Sequence, residues 1–479
     1  MPDFSSRYTQ PGVYVEEVVT PLVSFTGPRP TVVAIVGPSI GYRIFTEAVV
    51  LTATTPAALT KLGINTGVTL QVAATDGTLY APADYALVQT GGADAQIGTV
   101  EDNPTTIART GGSTIPTGST VYVTYRYTDA DFHAPTRASD FDDVKDFYGE
   151  PLNLSTGEIT SPLTLAAKVA FENGASELML VATTGVGVTT NRAELSAAYA
   201  KLSALQDATV VVPITAGIGN ADAINAMTDL KTHVEQLSAS GLFRMGIIGF
   251  DPAVTTAPEV LAAGTRSSRL VLAWPNRMEF YNGQTNSIIE VSGAYLAAAY
   301  AGMAALRAPQ IPLTKKQVRS FSGIPASLVG TMTVSLKNIW SDQGVAVTEL
   351  TRDNRLILRH GVTTQRDTIQ NREINLVRAK DSLVSLIQDS VERSELVGGI
   401  IDPETPVRVK GVVAGALETA LNQDIVVAYN NLKVRQRPAD LSVIEVKFQY
   451  TPAYPLNYII VSFSVNVTTG ETDVIELAA

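Results

Sequence analysis

The strongest constraint on the fold of this chain is a regular alternation of helix-like and strand-like stretches between residues 161 and 274. Parallel strands need a long crossover connection, usually a helix, so this alternation predicts a largely parallel α/β sheet. An earlier apolar run, Thr31–Pro38, predicts a first buried strand of this region. The predicted helices are Ser161–Asn173, Arg192–Leu205 and Asn220–Ala239, and the predicted strands are Glu177–Ala182, Ala208–Ile214, Arg244–Gly249 and Arg269–Trp274.

Residues 49–133 differ in composition from the rest of the chain and predict an all-β domain inserted between the first strand and the rest of the sheet. This stretch is rich in Thr, Gly, Val and Asp, and glycine-containing turn pairs recur along it. The runs between these turns, such as Val68–Val72 and Thr120–Tyr127, favour short strands. Short strands separated by such turns are typical of a sandwich or a barrel.

After residue 274 the sequence predicts a buried helix, a hairpin and then a closing α+β module. An alanine-rich run at Gly293–Leu306 first predicts a buried helix that is too short to span a bilayer. A hairpin is then predicted from two apolar runs on either side of Asp353-Asn354. The predicted elements are hairpin strands Val345–Leu350 and Arg355–Arg359, helices Arg372–Val397 and Pro406–Asn422, and closing strands Leu441–Phe448 and Tyr458–Val465.

Both ends of the chain carry a short strand-forming run beside a turn-rich tether. Val13-Tyr14-Val15 follows a Pro-Gly turn and precedes the breaker group Thr26–Pro30. Val474-Ile475-Glu476-Leu477 follows a second tether at Thr468–Thr472. A lone strand cannot satisfy its own backbone N–H and C=O groups, so each run must pair with the body of its own chain or with another chain by strand addition. Pairing within the same chain would need no flexible tether, so we expect each run to add to a sheet of another chain. The predicted inter-subunit residues are Val13, Tyr14, Val15, Val474, Ile475 and Leu477.

Composition argues against several classes of function. The 479 residues include 46 acidic and 35 basic side chains, and the net charge of −11 disfavours nucleic-acid binding, which needs a basic stripe. No cysteine is present, so neither disulfides nor a thiolate metal site are expected. The N-terminus lacks the apolar core of a signal peptide. We therefore expect no metal, no cofactor and no membrane insertion.

One motif raises the alternative of an α/β hydrolase. Residues Gly37–Gly41 match the G-x-S-x-G nucleophile elbow, with Ser39 as the nucleophile. The residues that follow resemble a strand, whereas the elbow needs a helix. The three histidines, His133, His233 and His360, lie in settings that do not suit the base of a triad. We therefore expect no catalytic residue.

A second motif lies at Gly217–Asp222, between a predicted strand and a predicted helix, which is the position of a dinucleotide fingerprint. It lacks the third glycine of that fingerprint, and Asn220 or Asp222 is better interpreted as a helix N-cap. The sequence contains no P-loop pattern either. A nucleotide cofactor is therefore not expected.

The chain resembles the contractile tail sheath proteins of bacteriophages. The resemblance covers most of the chain and is carried by Pro11–Glu17, by the helix Ser139–Gly149, by Phe171–Gly174 at a helix end, and by Pro452–Pro455. It implies an α/β and α+β multidomain fold with a central subtilisin-like domain and extended terminal arms. The implied divisions are an N-terminal arm 1–28, the first core strand 29–48, an inserted all-β outer domain 49–133, the subtilisin-like sheath domain 134–365, a tube-proximal α+β domain 366–465 and a C-terminal arm 466–479.

The resemblance also implies a function. Sheath subunits stack as hexameric rings around a tail tube, and the helical sheath contracts to drive the tube through the host envelope for genome ejection. The implied partners are further copies of the chain, the tail tube protein, and the baseplate and tail terminator proteins. The implied location is the virion, with the host cytoplasm during assembly. The sheath of a bacteriocin-like particle that is not a phage is the alternative within this class.

In the sheath family a charged helix of the C-terminal module holds the tube. The first candidates by this resemblance are Arg408, Lys410 and Glu418 on the helix Pro406–Asn422, and the second are Arg372, Arg378 and Lys380 on the preceding helix. A solvated surface is the alternative interpretation of these charges.

Overall fold

The structure, a computed structural model, describes residues 31–39, 43–53, 55–60, 71–89, 105–127, 133–153, 155–183, 188–283, 285–459, 463–465 and 472–474. The predicted arm strand Val13-Tyr14-Val15 lies outside these described residues, as do Ile475 and Leu477. The chain divides into two units. Among the described residues, the smaller unit contains 379–453 and the larger unit contains all others.

Strands and helices succeed one another along the described chain. The strands are β1 (Val32–Gly37), β2 (Arg43–Leu51), β3 (Ala57–Ala58), β4 (Gln71–Ala73), β5 (Tyr85–Gln89), β6 (Thr105–Arg109), β7 (Ser119–Tyr127), β8 (Thr136–Ala138), β9 (Leu178–Ala182), β10 (Ala208–Pro213), β11 (Met245–Ile248), β12 (Leu270–Trp274), β13 (Arg277–Asn282), β14 (Ser287–Ser292), β15 (Val345–Leu350), β16 (Leu356–Leu358), β17 (Val426–Arg437), β18 (Asp440–Pro452), β19 (Phe463–Val465) and β20 (Thr472–Val474). The helices are α1 (Phe141–Tyr148), α2 (Pro162–Glu172), α3 (Arg192–Ser203), α4 (Asn220–Ala239), α5 (Pro258–Gly264), α6 (Gly293–Leu306), α7 (Ala326–Val329), α8 (Val334–Asp342), α9 (Ile369–Arg372), α10 (Ile374–Arg393) and α11 (Thr405–Asn422).

Eight of the described strands form the main sheet of the larger unit, in the order β16-β15-β12-β11-β10-β1-β9-β8. The neighbours from β15 to β9 are parallel, and the edge strands β16 and β8 are antiparallel to theirs. The prediction of a largely parallel sheet is therefore confirmed. β1 lies between β9 and β10, so the first strand of the fold is also one of its central strands.

Helices cover this sheet, and their sequence signals agree with their bounds. α2 begins with Pro162 after the N-cap Ser161, whose side chain accepts the Thr164 N–H. Asn191 and Glu194 form a capping box at the start of α3. α6 has the predicted bounds, and twelve of its residues are buried. The alanine-rich run is therefore a core helix, as predicted.

Gly293 begins α6 at a point where backbone segments converge. Its N–H donates to the Phe250 carbonyl at 3.1 Å and to the Asn276 carbonyl at 2.9 Å. A methyl group on Gly293 would lie 2.7 Å from the Pro275 carbonyl oxygen, 2.8 Å from Asn276 Cα and 2.9 Å from the Phe250 carbonyl oxygen. Only glycine fits this junction, because real Cβ atoms essentially never come within 3.0 Å of such neighbours.

The predicted all-β insertion is present as a β module with its own core. β2, β7 and β4 form one three-stranded sheet, and β3, β6 and β5 form another. Residues such as Leu51, Ile107 and Val121 are buried between these strands and form a cluster separate from the main core. The predicted boundary at Val49 is wrong: β2 starts at Arg43 and pairs along its length with β7, so Arg43–Ala48 belong to the module.

The smaller unit contains the described part of α10 from Ala379, α11, and the antiparallel pair β17–β18. Its core joins both helices to one face of the strand pair, through residues such as Leu383, Val413 and Leu417. The strand residues that pack on this core are Tyr429, Leu432, Val434, Ile444, Val446 and Phe448.

The structure corrects the predicted closing strands. β18 contains the predicted strand Leu441–Phe448, but its partner is β17, which the sequence analysis missed. Within the predicted strand Tyr458–Val465, Tyr458 and Ile459 lie in no strand, residues 460–462 are outside the described residues, and the last three residues form β19. β19 pairs with β20 so that Phe463 lies opposite Val474. Val474 therefore has a backbone partner in its own chain, and pairing of this run with another chain stays a prediction. The smaller unit is also narrower than the predicted module 366–465, since 366–378 and 454–465 belong to the larger unit.

Candidate functional site: the strand pair of the smaller unit and its charged helix

The predicted nucleophile elbow has a structural role. Ser39 is buried, its hydroxyl donates to the Tyr148 carbonyl at 3.1 Å, and it shares a hydrogen bond with the Ser161 hydroxyl at 3.0 Å. These contacts connect the end of β1 to the start of α2. The Ser39 hydroxyl is thus committed to the core, and no histidine is among its hydrogen-bond partners in the described residues.

The three histidines contact different parts of the fold. The His133 ring lies 3.3 Å from the Ala182 carbonyl, and His360 Nε2 lies 2.8 Å from the buried Glu373 carboxylate. His233 stacks on Tyr199 and accepts a hydrogen bond from Arg244. Burial and the positive charge of Arg244 lower the pKa of His233 to about 4. No described group of three or more metal-binding side chains lies close enough together to hold a metal ion.

The glycine-rich segment before α4 forms a loop that ends at the helix N-cap. Gly219 occupies the N-cap, so the expectation that Asn220 or Asp222 caps the helix is wrong. The Asn220 side chain instead accepts hydrogen bonds from the backbone N–H groups of Thr255 and Thr256 at 2.8 and 3.0 Å.

None of the described helices has both the length and the apolar character needed to cross a bilayer.

Glu349 on β15 gathers three cations. Its carboxylate lies 3.0 Å from Lys315 Nζ, 3.1 Å from Lys337 Nζ and 2.7 Å from an Arg359 guanidinium nitrogen. Burial acts to raise the pKa of Glu349, but the hydrogen bonds from these three cations outweigh it and lower the pKa to about 2. The cluster stabilises the end of the sheet near β16.

The smaller unit presents a strand pair with two open edges. In the described part of the chain, β17 and β18, of 12 and 13 residues, pair only with each other. One face packs on the helices, and the other is exposed. A two-stranded sheet is marginal alone, and each edge offers unpaired backbone donors and acceptors. This arrangement can accept an added strand on either side.

The exposed side of this pair, which we call the outer face, is basic. It consists of Lys433, Arg435 and Arg437 on β17 and Glu445 and Lys447 on β18. Glu445 pairs with Arg437 at 2.8 Å and with Arg435 at 2.9 Å, and these bonds lower its pKa. Lys433 lies directly opposite Lys447. Among the described residues neither lysine forms an ion pair with a carboxylate, although the charge of Lys447 helps to lower the pKa of Glu445. The sequence analysis missed these residues, although basic residues at every second position indicate one face of a strand.

The charged residues of α11 lie on its solvent side. Arg408 bonds to Asp402 at 2.5 Å, and Glu418 accepts the Tyr429 hydroxyl at 2.5 Å. Lys410 is exposed, as is Lys380 on α10. Two of the four side chains therefore have partners within the smaller unit, while both lysines point to solvent.

Arg378 is not available for a partner, and its selection as a surface candidate is wrong. It is buried, and its guanidinium donates to the Ala304 carbonyl at 2.6 Å, the Arg307 carbonyl at 3.1 Å and the Thr31 hydroxyl at 3.2 Å. It thus binds the carbonyls at the end of α6, where a cation is favoured. Arg372 is partly exposed, with its Nε 4.0 Å from the Glu373 carboxylate.

No family model matches the chain. The chain is 34% identical over 420 residues to the tail sheath protein of Mycobacterium phage Bxz1, covering 86% of this chain and 70% of that protein. Its fold is similar to that of the contracted helical sheath of the anti-feeding prophage, with a TM-score of 0.57 at 12% identity over 96% of this chain and 100% of that one. It is also similar to the contracted sheath complex of PVC, an extracellular contractile injection system, with a TM-score of 0.52 at 16% identity over 70% of this chain and 87% of that one.

Proposed function

This chain belongs to the tail sheath protein family, and from that premise we propose that it is the structural subunit of a contractile tail sheath. The subunits stack as hexameric rings around a tail tube, and contraction drives the tube through the host envelope for genome ejection. The partners in this proposal are further copies of the chain, the tail tube protein, and the baseplate and tail terminator proteins. The protein is part of the virion and assembles in the host cytoplasm.

The observation that carries the proposal is the β17–β18 pair with its two open edges. A polymer that must stay connected while its subunits move needs links that tolerate rotation, and strand addition through a tethered arm provides one. We propose that residues 1–28 of one neighbour and 466–479 of another add strands to the two edges. Each added hydrogen bond contributes about 0.5–1.5 kcal/mol, so the link gains strength by engaging both arms at once.

For the C-terminal arm, strand addition to a neighbour also requires the loss of a strand pairing within its own chain. Because β20 pairs with β19 in the same chain, engagement of a neighbour by Val474 exchanges one strand partner for another. Such an exchange leaves the number of backbone pairs nearly unchanged. Its driving force is then the apolar surface that Ile475 and Leu477 bury on the neighbour.

The larger unit serves in this proposal as a rigid scaffold with a subtilisin-like layout and no enzymatic role. The parallel sheet covered by helices supports such a layout. The burial of Ser39 and the separate contacts of the three histidines support a scaffold over a hydrolase. The energy for contraction then comes from contacts between subunits in the contracted state, with no nucleotide.

We propose that α11 and the exposed Lys380 of α10 attach the subunit to the tube. Lys410 and Lys380 are the foremost candidates, because both are exposed. Arg408 and Glu418 are the next candidates, because each already has a hydrogen-bond partner within the smaller unit and would have to contact the tube in addition. Arg372 is the weakest candidate, since it is only partly exposed.

A second candidate is the sheath of a contractile injection particle that is not a phage. The similarity in fold to the anti-feeding prophage and PVC sheaths favours it. The sequence identity to a mycobacteriophage protein favours the phage tail, and we propose that function first.

The test compares the full chain with a variant that lacks residues 1–20. We expect the full chain to form tubes and the shortened chain to stay monomeric with unchanged circular dichroism. Hydrogen exchange measured by mass spectrometry should show that peptides from β17 and β18 gain protection on assembly, because their open edges become paired. A peptide from β10, which is paired on both sides already, is the internal control.

Two matched variants refine this test. Val15→Pro removes one backbone donor from the arm and should prevent assembly, whereas Val15→Ala keeps the donor and should assemble. Tubes of normal length from the shortened chain, with no new protection in β17 or β18, would contradict strand addition. In that case contacts between the globular parts would have to hold the sheath together.

A further inference from the structure

We propose that the outer face of the β17–β18 pair recognises glutamates on the terminal arms of neighbouring copies through Lys433 and Lys447. This inference rests on the proposed function, since it takes the exchange of arms between subunits as its starting point. It identifies the chemistry that selects the arms and fixes their register on the two edges.

The first argument is the position of the two lysines. They lie directly opposite each other on adjacent strands, and both are exposed. Like charges in this position destabilise a strand pair. The other cations of the face, Arg435 and Arg437, form ion pairs with Glu445. Among the described residues neither lysine has a carboxylate within ion-pair distance, although the charge of Glu445 also acts on Lys447. A carboxylate brought beside each lysine would relieve the repulsion and add an ion pair.

The second argument is the alternation of side chains in the N-terminal arm. An added strand places successive side chains on opposite faces of the sheet. Val13 and Val15 are apolar and belong on the face that packs on the core of the smaller unit. Tyr14 and Glu16 then fall on the outer face, which brings Glu16 to the side of the lysines.

The same alternation applies to the C-terminal arm. If Ile475 and Leu477 take the apolar face, Glu476 between them falls on the outer face. Lys433 and Lys447 belong to different strands at the same level, so each open edge presents one lysine. Both arms therefore bind in the same way: two apolar side chains face the core of the smaller unit, and the glutamate beside them faces a lysine.

The third argument is the charge of the whole chain. Copies with a net charge of −11 repel one another at low salt. The outer face, with four cations and one carboxylate, is a local exception to that charge. It gives the acidic arms a positively charged binding surface on a neighbour whose net charge is negative.

The experiment is a charge swap in the full chain, read as the critical concentration for tube formation by sedimentation. We expect Glu16→Lys, Lys433→Glu and Lys447→Glu each to raise it about fivefold to tenfold, the range of a surface ion pair replaced by repulsion. Glu16→Lys combined with one of the two lysine reversals should restore the original value and so identify the edge used. Arg352→Glu, an equal charge change at an exposed position of the larger unit, is the matched control and should leave self-assembly unchanged.

The monomer provides a second readout. Lys433→Glu should raise the thermal unfolding midpoint of the smaller unit, because an opposite-charge pair with Lys447 replaces a repulsive pair. Greater stability together with weaker assembly is a result that a merely structural role would not produce.

Two results would overturn the inference. In the first, neither double variant restores assembly. In the second, the lysine reversals impair only attachment to a tail tube while Glu16→Lys has no effect, so the outer face contacts the tube. Failure of the proposed function would look different, because a chain without residues 1–20 would then still polymerise.

Discussion

Gly293→Ala tests whether the convergence of backbone at the start of α6 limits the stability of the larger unit. The added methyl group would meet Pro275, Asn276 and Phe250 backbone atoms at 2.7, 2.8 and 2.9 Å. Ordinary contact begins at 3.4 Å, so these atoms are too close by 0.5–0.7 Å. No side chain can rotate away, because all three obstacles belong to the backbone.

The magnitude follows from opposing terms. Overpacking of this kind costs about 1–3 kcal/mol. Moving the backbone also weakens the two hydrogen bonds of the Gly293 N–H, which are worth about 0.5–1.5 kcal/mol each. The reduced freedom of the unfolded chain returns only about 0.4–1 kcal/mol. The steric term prevails, and we expect the free energy of unfolding to fall by about 2 kcal/mol.

Urea unfolding followed by tryptophan fluorescence measures this change. Both tryptophans, Trp274 and Trp340, lie in the larger unit, with ring centroids 6.2 Å apart. Gly330→Ala is the matched control, because Gly330 has helical backbone angles and a Cβ there would meet only the Ala326 carbonyl oxygen, at 3.8 Å. The control should gain up to about 1 kcal/mol. Equal stability of the two variants would refute the reasoning.

Two further predictions concern titratable groups of the larger unit. The unfolding free energy should fall by up to about 3 kcal/mol as the pH drops from 6.5 to about 4, because the unfolded chain protonates His233 at its ordinary pKa of 6.5 while the folded pKa is about 4. His233→Asn should flatten this pH profile in urea unfolding, and an unchanged profile would argue against it. Glu349→Gln should lower the unfolding free energy by about 2–4 kcal/mol at pH 7, since it leaves three cations without their anion. In the unmodified chain the Glu349 contribution is present above pH 4.5 and is lost as the pH falls through about 2, so variant and unmodified chain should converge there, and parallel urea profiles would speak against the ion cluster.

The elements that the sequence predicted well are those whose local signals and burial agree. The bounds of α4 and α6 were predicted to the residue, and Ser161 caps α2. In these segments apolar periodicity, turn residues and packing favour the same structure. The parallel sheet was predictable for the same reason, because buried strands read as continuous apolar runs.

The elements that the sequence analysis missed are those whose structure is determined by tertiary contacts or by irregular backbone. β17 alternates cleanly only from Lys433 onward, because its register shifts between Asn430 and Lys433 and Asn431 has a positive φ of 55°. Arg378 reads as a surface charge, but the carbonyls at the end of α6 hold it inside the fold. The alternating basic residues indicate one face of β17, but the pairing of β17 with β18, which opposes the two lysines, depends on which segments meet in space.

The central position of β1 has a mechanical consequence. A pull on the residues that precede Thr31 acts along the axis of β1, which is parallel to β9 on one side and β10 on the other. The hydrogen bonds on both sides are then loaded in shear and at the same time, instead of being opened one after another. If the N-terminal arm links subunits as we propose, tension transmitted through it enters the subunit at a strand whose two rows of hydrogen bonds resist it together.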